Sequence, residues 1–153
     1  MDRRRFLLTS LAGSLAAPVA AGAQQAGKMC GARILLVEDS ADIRDVFTLL
    51  LAAEGAEVTA AATGCEAVEL ARQRDFDVVL TDLGLPDVPG DVVIRNVVVT
   101  ARRRPRIVVV TGYGEPFVGR ARQAGADVVL NKPIAWPLLL DRLTPASAVP
   151  RVA

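Results

Sequence analysis

Four short runs of consecutive apolar residues constrain this chain most: Ile34–Val37, Val78–Leu80, Ile107–Val110 and Val128–Leu130. None alternates apolar with polar, so each needs cover on both faces, the pattern of a strand inside a parallel sheet. A fifth segment, from about Glu57 to Ala61, alternates more and suits a sheet edge. Between these runs apolar residues recur at helical spacing. Ser40 is placed to cap a first helix carrying Ile43, Val46, Phe47, Leu50 and Leu51, which Gly55 stops. Thr63-Gly64-Cys65-Glu66 reads as a capping box opening a second helix, with Val68, Leu70 and Ala71 on its buried side. From Asp91 to about Arg103 the Val and Ile content points to a strand by propensity. The i,i+4 pairs Val93/Val97 and Ile94/Val98, and the length of the segment, favour a third helix instead. Pro116 fits the first turn of a fourth helix and Gly125 its stop. A short last helix runs from about Trp136 to Leu143.

Five repeats of strand then helix with short connections predict an α/β fold: a doubly wound five-stranded parallel sheet with helices on both faces. A length of 153 residues supports one such domain and not two. We expect it over residues 31–143, with residues 144–153 as a short tail. Apolar residues make up 52% of the chain and aromatics 4%, so the core is built from Val, Leu, Ile and Ala. Sheets of this kind bind ligands outside the carboxyl ends of their strands, where strand order reverses.

At that rim the polar residues gather. Glu38 and Asp39 follow the first strand, Asp82 the third, Thr111 ends the fourth, and Lys132 lies just past the fifth. Three carboxylates brought together repel one another, so they need a cation or raised pKa values. Mg²⁺ suits a small oxygen set that leaves room for waters and phosphate oxygens. One carboxylate then serves as nucleophile toward a phosphoryl group whose charge is met by the metal, Lys132 and the Thr111 hydroxyl. Positioning plus electrostatics is what phosphoryl transfer asks of a protein.

The chain contains no histidine. A Ser-His-Asp triad, a His-based zinc site and a phosphohistidine intermediate are thereby excluded, although a phosphoryl group can still be received from another protein's histidine. Cys30 and Cys65 sit in different segments and are expected as free thiols. Net charge is +1, and Lys28 and Lys132 are the only lysines. The cluster Arg102, Arg103, Arg104 and Arg106 reads as a solvated helix end, and direct nucleic-acid binding is not expected.

Residues 1–30 differ in character. Arg3-Arg4-Arg5-Phe6-Leu7 opens a charged region followed by an apolar stretch to Ala20 and the small-residue pattern Ala21-Gly22-Ala23. This resembles a twin-arginine export signal, in the style of bacterial periplasmic solute-binding proteins. Gly13 and Pro18 interrupt it, so no stable membrane span is expected. Gln24 to Gly31 reads as a polar joint within which Met29 is a second candidate start.

Leu36-Val37-Glu38-Asp39, Leu80-Thr81-Asp82-Leu83-Gly84-Leu85-Pro86, Val110-Thr111-Gly112-Tyr113-Gly114, Gly125-Ala126-Asp127 and Leu130-Asn131-Lys132-Pro133 together resemble the receiver domains of two-component response regulators. The resemblance runs from about Arg33 to Leu143 and implies the flavodoxin-like strand order 2-1-3-4-5. It implies Asp82 as phosphoacceptor, Asp39 and Asp82 as direct Mg²⁺ ligands, Glu38 holding the metal through water, and the backbone carbonyl of Gly84 completing the shell. Thr111 and Lys132 would grip the phosphoryl oxygens, with a cis Lys132-Pro133 bond aiming the lysine inward. It further implies a sensor histidine kinase or a histidine phosphotransfer protein as partner, and hence a cytoplasmic setting. Export is the alternative if the leader operates. The chain departs from the family at Val129, where an aromatic switch residue is common, and in its short last helix, which carries Pro137. Only residues 144–153 follow, so the expectation is a stand-alone receiver acting by protein contact and not an enzyme beyond its own phosphoryl transfer and autodephosphorylation.

Two other readings compete. An aspartyl-phosphate phosphatase or phosphotransferase of the haloacid dehalogenase type needs a second acid two residues after the nucleophile, where this chain has Gly84. An exported binding protein matches the leader but needs a larger, bilobal body. A nucleotide site is excluded because neither a P-loop nor a Gly-x-Gly-x-x-Gly turn follows the first strand.

Overall fold

The computed structural model describes residues 27–144. Most of the leader expected over residues 1–30, and the tail past Thr144, lie outside these described residues. Five strands and five helices alternate strictly: β1 (Arg33–Val37), α1 (Ala41–Ala53), β2 (Glu57–Ala61), α2 (Gly64–Gln73), β3 (Val78–Thr81), α3 (Gly90–Thr100), β4 (Arg106–Thr111), α4 (Phe117–Ala124), β5 (Val128–Asn131) and α5 (Trp136–Leu143). All strand pairs are parallel, in the order β2-β1-β3-β4-β5. This is the flavodoxin-like doubly wound sheet.

The two-residue period of the strands sorts the core into two layers. Leu35, Val37, Val79, Ile107 and Val109 face one side, under Ala67 and Ala71 of α2, Val93, Ile94 and Val97 of α3, and Ala121 and Ala124 of α4. Ile34, Leu36, Val78, Leu80, Val108 and Val110 face the other, under Leu51 of α1 and Leu139, Leu140 and Leu143 of α5. Met29, expected in a polar joint, belongs to this second layer and is 1% exposed.

Where burial and propensity conflict, burial wins. The Val-rich segment after Pro89 is helical because Val93, Ile94 and Val97 each bury completely or nearly so against the sheet. The first helix is rolled relative to its apolar stripe. Leu51 is buried, whereas Ile43, Val46 and Leu50 are 39%, 55% and 39% exposed. Two caps also differ from expectation. The Ser40 side chain makes no cap hydrogen bond; its backbone N–H instead donates to Glu38 Oε1 at 3.1 Å. In the capping box, Thr63 Oγ1 accepts from Glu66 N–H at 3.2 Å, but the Glu66 carboxylate accepts from Ala62 N–H rather than from Thr63. Pro116 stands one residue before α4, and Gly125 ends that helix at φ +122°, a conformation open to glycine.

The amino edge of the sheet is organised by acids placed just before strands. Asp77 Oδ2 accepts from Arg33 N–H at 2.8 Å, and Asp127 Oδ2 accepts from Ile107 N–H at 2.7 Å. The arginine cluster serves this edge. Arg103 lies 3.8 Å from Asp77, Arg104 pairs with Asp127 at 3.1 Å, and Arg102 and Arg106 donate to the carbonyls of Gln73 and Arg142.

Burial opposes ionisation of Asp77, but the Arg33 N–H and guanidinium and the Arg103 charge outweigh it and hold the carboxyl below its ordinary 3.8. A depressed carboxyl stabilises the fold above its unfolded-state pKa, and that contribution fades as pH falls through the lower folded value. Asp77→Asn is therefore expected to cost about 1–2 kcal/mol at pH 7 in urea unfolding. The gap to wild type should narrow once pH drops below about 4. A gap independent of pH would show that the carboxylate charge is not what holds β1.

Candidate functional site

Parallel register brings the carboxyl ends of the central strands together: Val37 pairs with Thr81, Thr81 with Val109, and Thr111 with Asn131. The residue following each strand therefore emerges at one rim. Asp82 follows β3, and its backbone N–H donates to Val37 O at 3.3 Å. Both of its carboxylate oxygens are engaged. Oδ1 accepts from Leu83 N–H at 2.6 Å and Gly84 N–H at 3.2 Å, while Oδ2 accepts from Lys132 Nζ at 2.8 Å. Burial opposes the charge on Asp82, but Lys132 and the two loop amides outweigh it, so the carboxyl is held below 3.8 and is ionised at neutral pH.

Lys132 is anchored by its backbone N–H, which donates to Thr111 O at 2.9 Å, and its bond to Pro133 is cis. Its ammonium also lies 3.9 Å from Glu38 Oε2. Partial burial works against that ammonium, but Asp82, Glu38 and Asp39 together raise its pKa above 10.5. Glu38 is 5% exposed. Burial raises its carboxyl above 4.5, opposed by the Ser40 N–H and Lys132 and reinforced by Asp39 and Asp82.

The structure thus gathers Asp82, Lys132 and Glu38 and leaves Asp39 at the exposed lip. Thr111 is fully buried, and its Oγ1 accepts from Tyr113 N–H at 3.1 Å, tying it to the loop between β4 and α4. The acidic rim is relieved in both ways that charge repulsion demands: a neighbouring cation and a raised carboxyl. Among the described residues no three acidic side chains close into a ligand cluster. Asp39, Asp82 and Glu38 offer oxygen donors alone, the donor type that a hard divalent cation takes.

Three contributors escaped sequence reasoning. The Leu83 and Gly84 amides orient the Asp82 carboxylate. Tyr113 packs over Gly84, where an added Cβ would lie 3.1 Å from the ring, and stacks on Phe117 with ring centroids 5.1 Å apart. Asp87 accepts from Gly64 N–H at 2.8 Å and Cys65 N–H at 2.9 Å. The Thr111-Gly112-Tyr113 motif hinted at the second; local spacing carried no sign of the others.

Fold and rim define a doubly wound α/β protein with an ionised aspartate paired with a lysine at the carboxyl edge of the sheet. The chain belongs to the response regulator receiver domain family, whose model matches residues 34–144. It is a receiver of the two-component signalling kind. A CheY-like receiver domain protein from Methanospirillum hungatei is 32% identical, covers 74% of this chain and 90% of its own, and superposes with a TM-score of 0.70. The receiver domain of a sensor histidine kinase from Pseudomonas aeruginosa, solved with a magnesium ion coordinated in its active site cleft, is 31% identical with a TM-score of 0.69, the match covering 74% of this chain and 95% of that one. The cell cycle response regulator CtrA of Brucella ovis is 31% identical over 111 residues, 72% of this chain. This chain spans 48% of that relative's length. No helix among the described residues is long and apolar enough to cross a membrane.

Proposed function

We propose that Asp82 accepts a phosphoryl group from a phosphohistidine of a sensor histidine kinase or a histidine phosphotransfer protein, and that the phosphorylated chain signals by protein contact in the cytoplasm. The observation that carries this reading is the 2.8 Å pairing of an ionised Asp82 with Lys132. A carboxylate oxygen of Asp82 attacks phosphorus while the bond to the donor's ring nitrogen breaks, and that nitrogen leaves with the electron pair. The Leu83 and Gly84 amides keep Oδ1 fixed during transfer. Lys132 follows the negative charge from the carboxylate onto the phosphoryl oxygens.

Asp39, Asp82 and the Gly84 carbonyl would hold Mg²⁺ directly and Glu38 through water. When bound, the ion neutralises phosphoryl charge. Thr111 turns its hydroxyl from Tyr113 N–H toward the phosphoryl oxygens, so the loop carrying Tyr113 registers the modification. That route does not need an aromatic at Val129. Exposed Ile43, Val46 and Leu50 on α1 supply apolar surface suited to protein contact.

The test is incubation with Mg²⁺ and acetyl phosphate, followed by intact-mass and peptide analysis. One phosphoryl group on the peptide containing Asp82 is expected. Modification elsewhere, or none with chelator-reversible Mg²⁺ present, would defeat the assignment.

A further inference from the structure

The segment joining β3 to α3 carries the acceptor and is pinned at both ends. The Asp82 carboxylate accepts from Leu83 and Gly84, and Gly90 N–H donates back to Leu83 O at 3.2 Å. Gly90 has no room for a side chain, since a Cβ would fall 2.5 Å from Leu83 Cα. Midway along, Asp87 reaches across to another helix. One carboxylate oxygen takes Gly64 N–H and the other takes Cys65 N–H, the first two amides of α2. Contact there is tight: a Cβ on Gly64 would lie 2.5 Å from Val93 Cγ2.

We propose that Asp87 is a positioning residue for the Asp82 site, clamping the acceptor loop to the amino end of α2 so that Gly84 stays in register with the carboxylate and the metal position. The proposal rests on the functional reading above. Its physical basis is that α2 offers unpaired amides and the positive end of its dipole, to which a carboxylate binds favourably. The hydrogen bonds from Cys65 and Gly64 hold the Asp87 carboxyl far below its ordinary value, so the clamp is charged at neutral pH.

The bland alternative is that Asp87 only stabilises α2. A built-in control separates the two. Thr63 caps the same helix end through Glu66 N–H, with no side-chain hydrogen bond to the acceptor loop. Asp87→Ala and Thr63→Ala should each lower thermal stability. Only Asp87→Ala should speed amide hydrogen exchange at Leu83 and Gly84, weaken Mg²⁺ binding about 10-fold and slow phosphorylation by acetyl phosphate similarly. Asp87→Asn, which keeps one acceptor oxygen, should fall between Asp87→Ala and wild type. Asp87→Ala with Mg²⁺ affinity, transfer rate and Leu83/Gly84 exchange matching Thr63→Ala would overturn the clamp. Failure of wild type to take phosphate on Asp82 would sink the functional reading instead, and the exchange of the two amides would still judge the clamp.

Discussion

Asp82→Ala takes up no phosphoryl group from acetyl phosphate under conditions that modify wild type. Among the rim acids, Asp82 alone combines an ionised carboxylate, two backbone donors fixing one oxygen and a lysine on the other. Glu38 is buried, its carboxyl raised above 4.5 by that burial, and its Oε1 is already engaged by Ser40 N–H, so it offers no comparably exposed and fixed oxygen. The variant should remain folded, because the core layers lie beneath the rim. Lys132, whose side chain is 35% exposed, keeps Glu38 within reach, so stability is expected to change by no more than about 1 kcal/mol. Intact-mass spectrometry together with circular dichroism checks both halves. Equal modification of variant and wild type would strip Asp82 of its role.

Lys132→Met should separate metal binding from transfer. Without the ammonium, Asp82 and Glu38 face each other uncompensated, so a divalent cation gains a more negative site and binds more tightly. Transfer loses the donor that meets the phosphoryl charge and should slow on the order of 10²-fold. The stability cost, discounted for the exposure of the lysine, is about 1 kcal/mol in chelator and shrinks when Mg²⁺ is added. Its pH dependence follows from the directions of the two shifts. Asp82 is depressed, so its share is present above 3.8 and fades as pH falls through the lower folded value. Lys132 is raised, so its share is present below 10.5 and fades as pH rises through the higher folded value. The gap between variant and wild type should therefore form a plateau between those limits. Mg²⁺ titration followed by calorimetry, set beside the rate of phosphorylation, tests the split. A variant that binds Mg²⁺ more weakly would place Lys132 among the elements that build the metal site.

Several features were legible because they depend on neighbours in sequence. The β2 segment Glu57–Ala61 and the last helix Trp136–Leu143 fall where alternation and spacing put them. The Val-rich α3 was harder, since its β-branched residues prefer strands and only burial of Val93, Ile94 and Val97 on the sheet settles the matter. For α1, periodicity announced a helix but not its roll. Docking on a sheet whose cover is shared with α5 buries Leu51 and leaves Ile43, Val46 and Leu50 at the surface. Met29 lacks any local signal of burial, because the cluster that buries it draws in Leu139, Leu140 and Leu143 of α5, more than a hundred residues later.

The amino-acid order by itself determined the alternation of strands and helices, the parallel sheet and the side of it at which polar groups emerge, because each follows from short-range periodicity and the handedness of strand-helix-strand connections. Only the tertiary structure decided which of those groups touch. Lys132 reaches Asp82 and Glu38, Thr111 turns to its own loop, and Asp87 crosses to α2. Those pairings depend on angles and distances between elements remote in sequence, set by how the helices pack on the sheet and how burial and charge balance there.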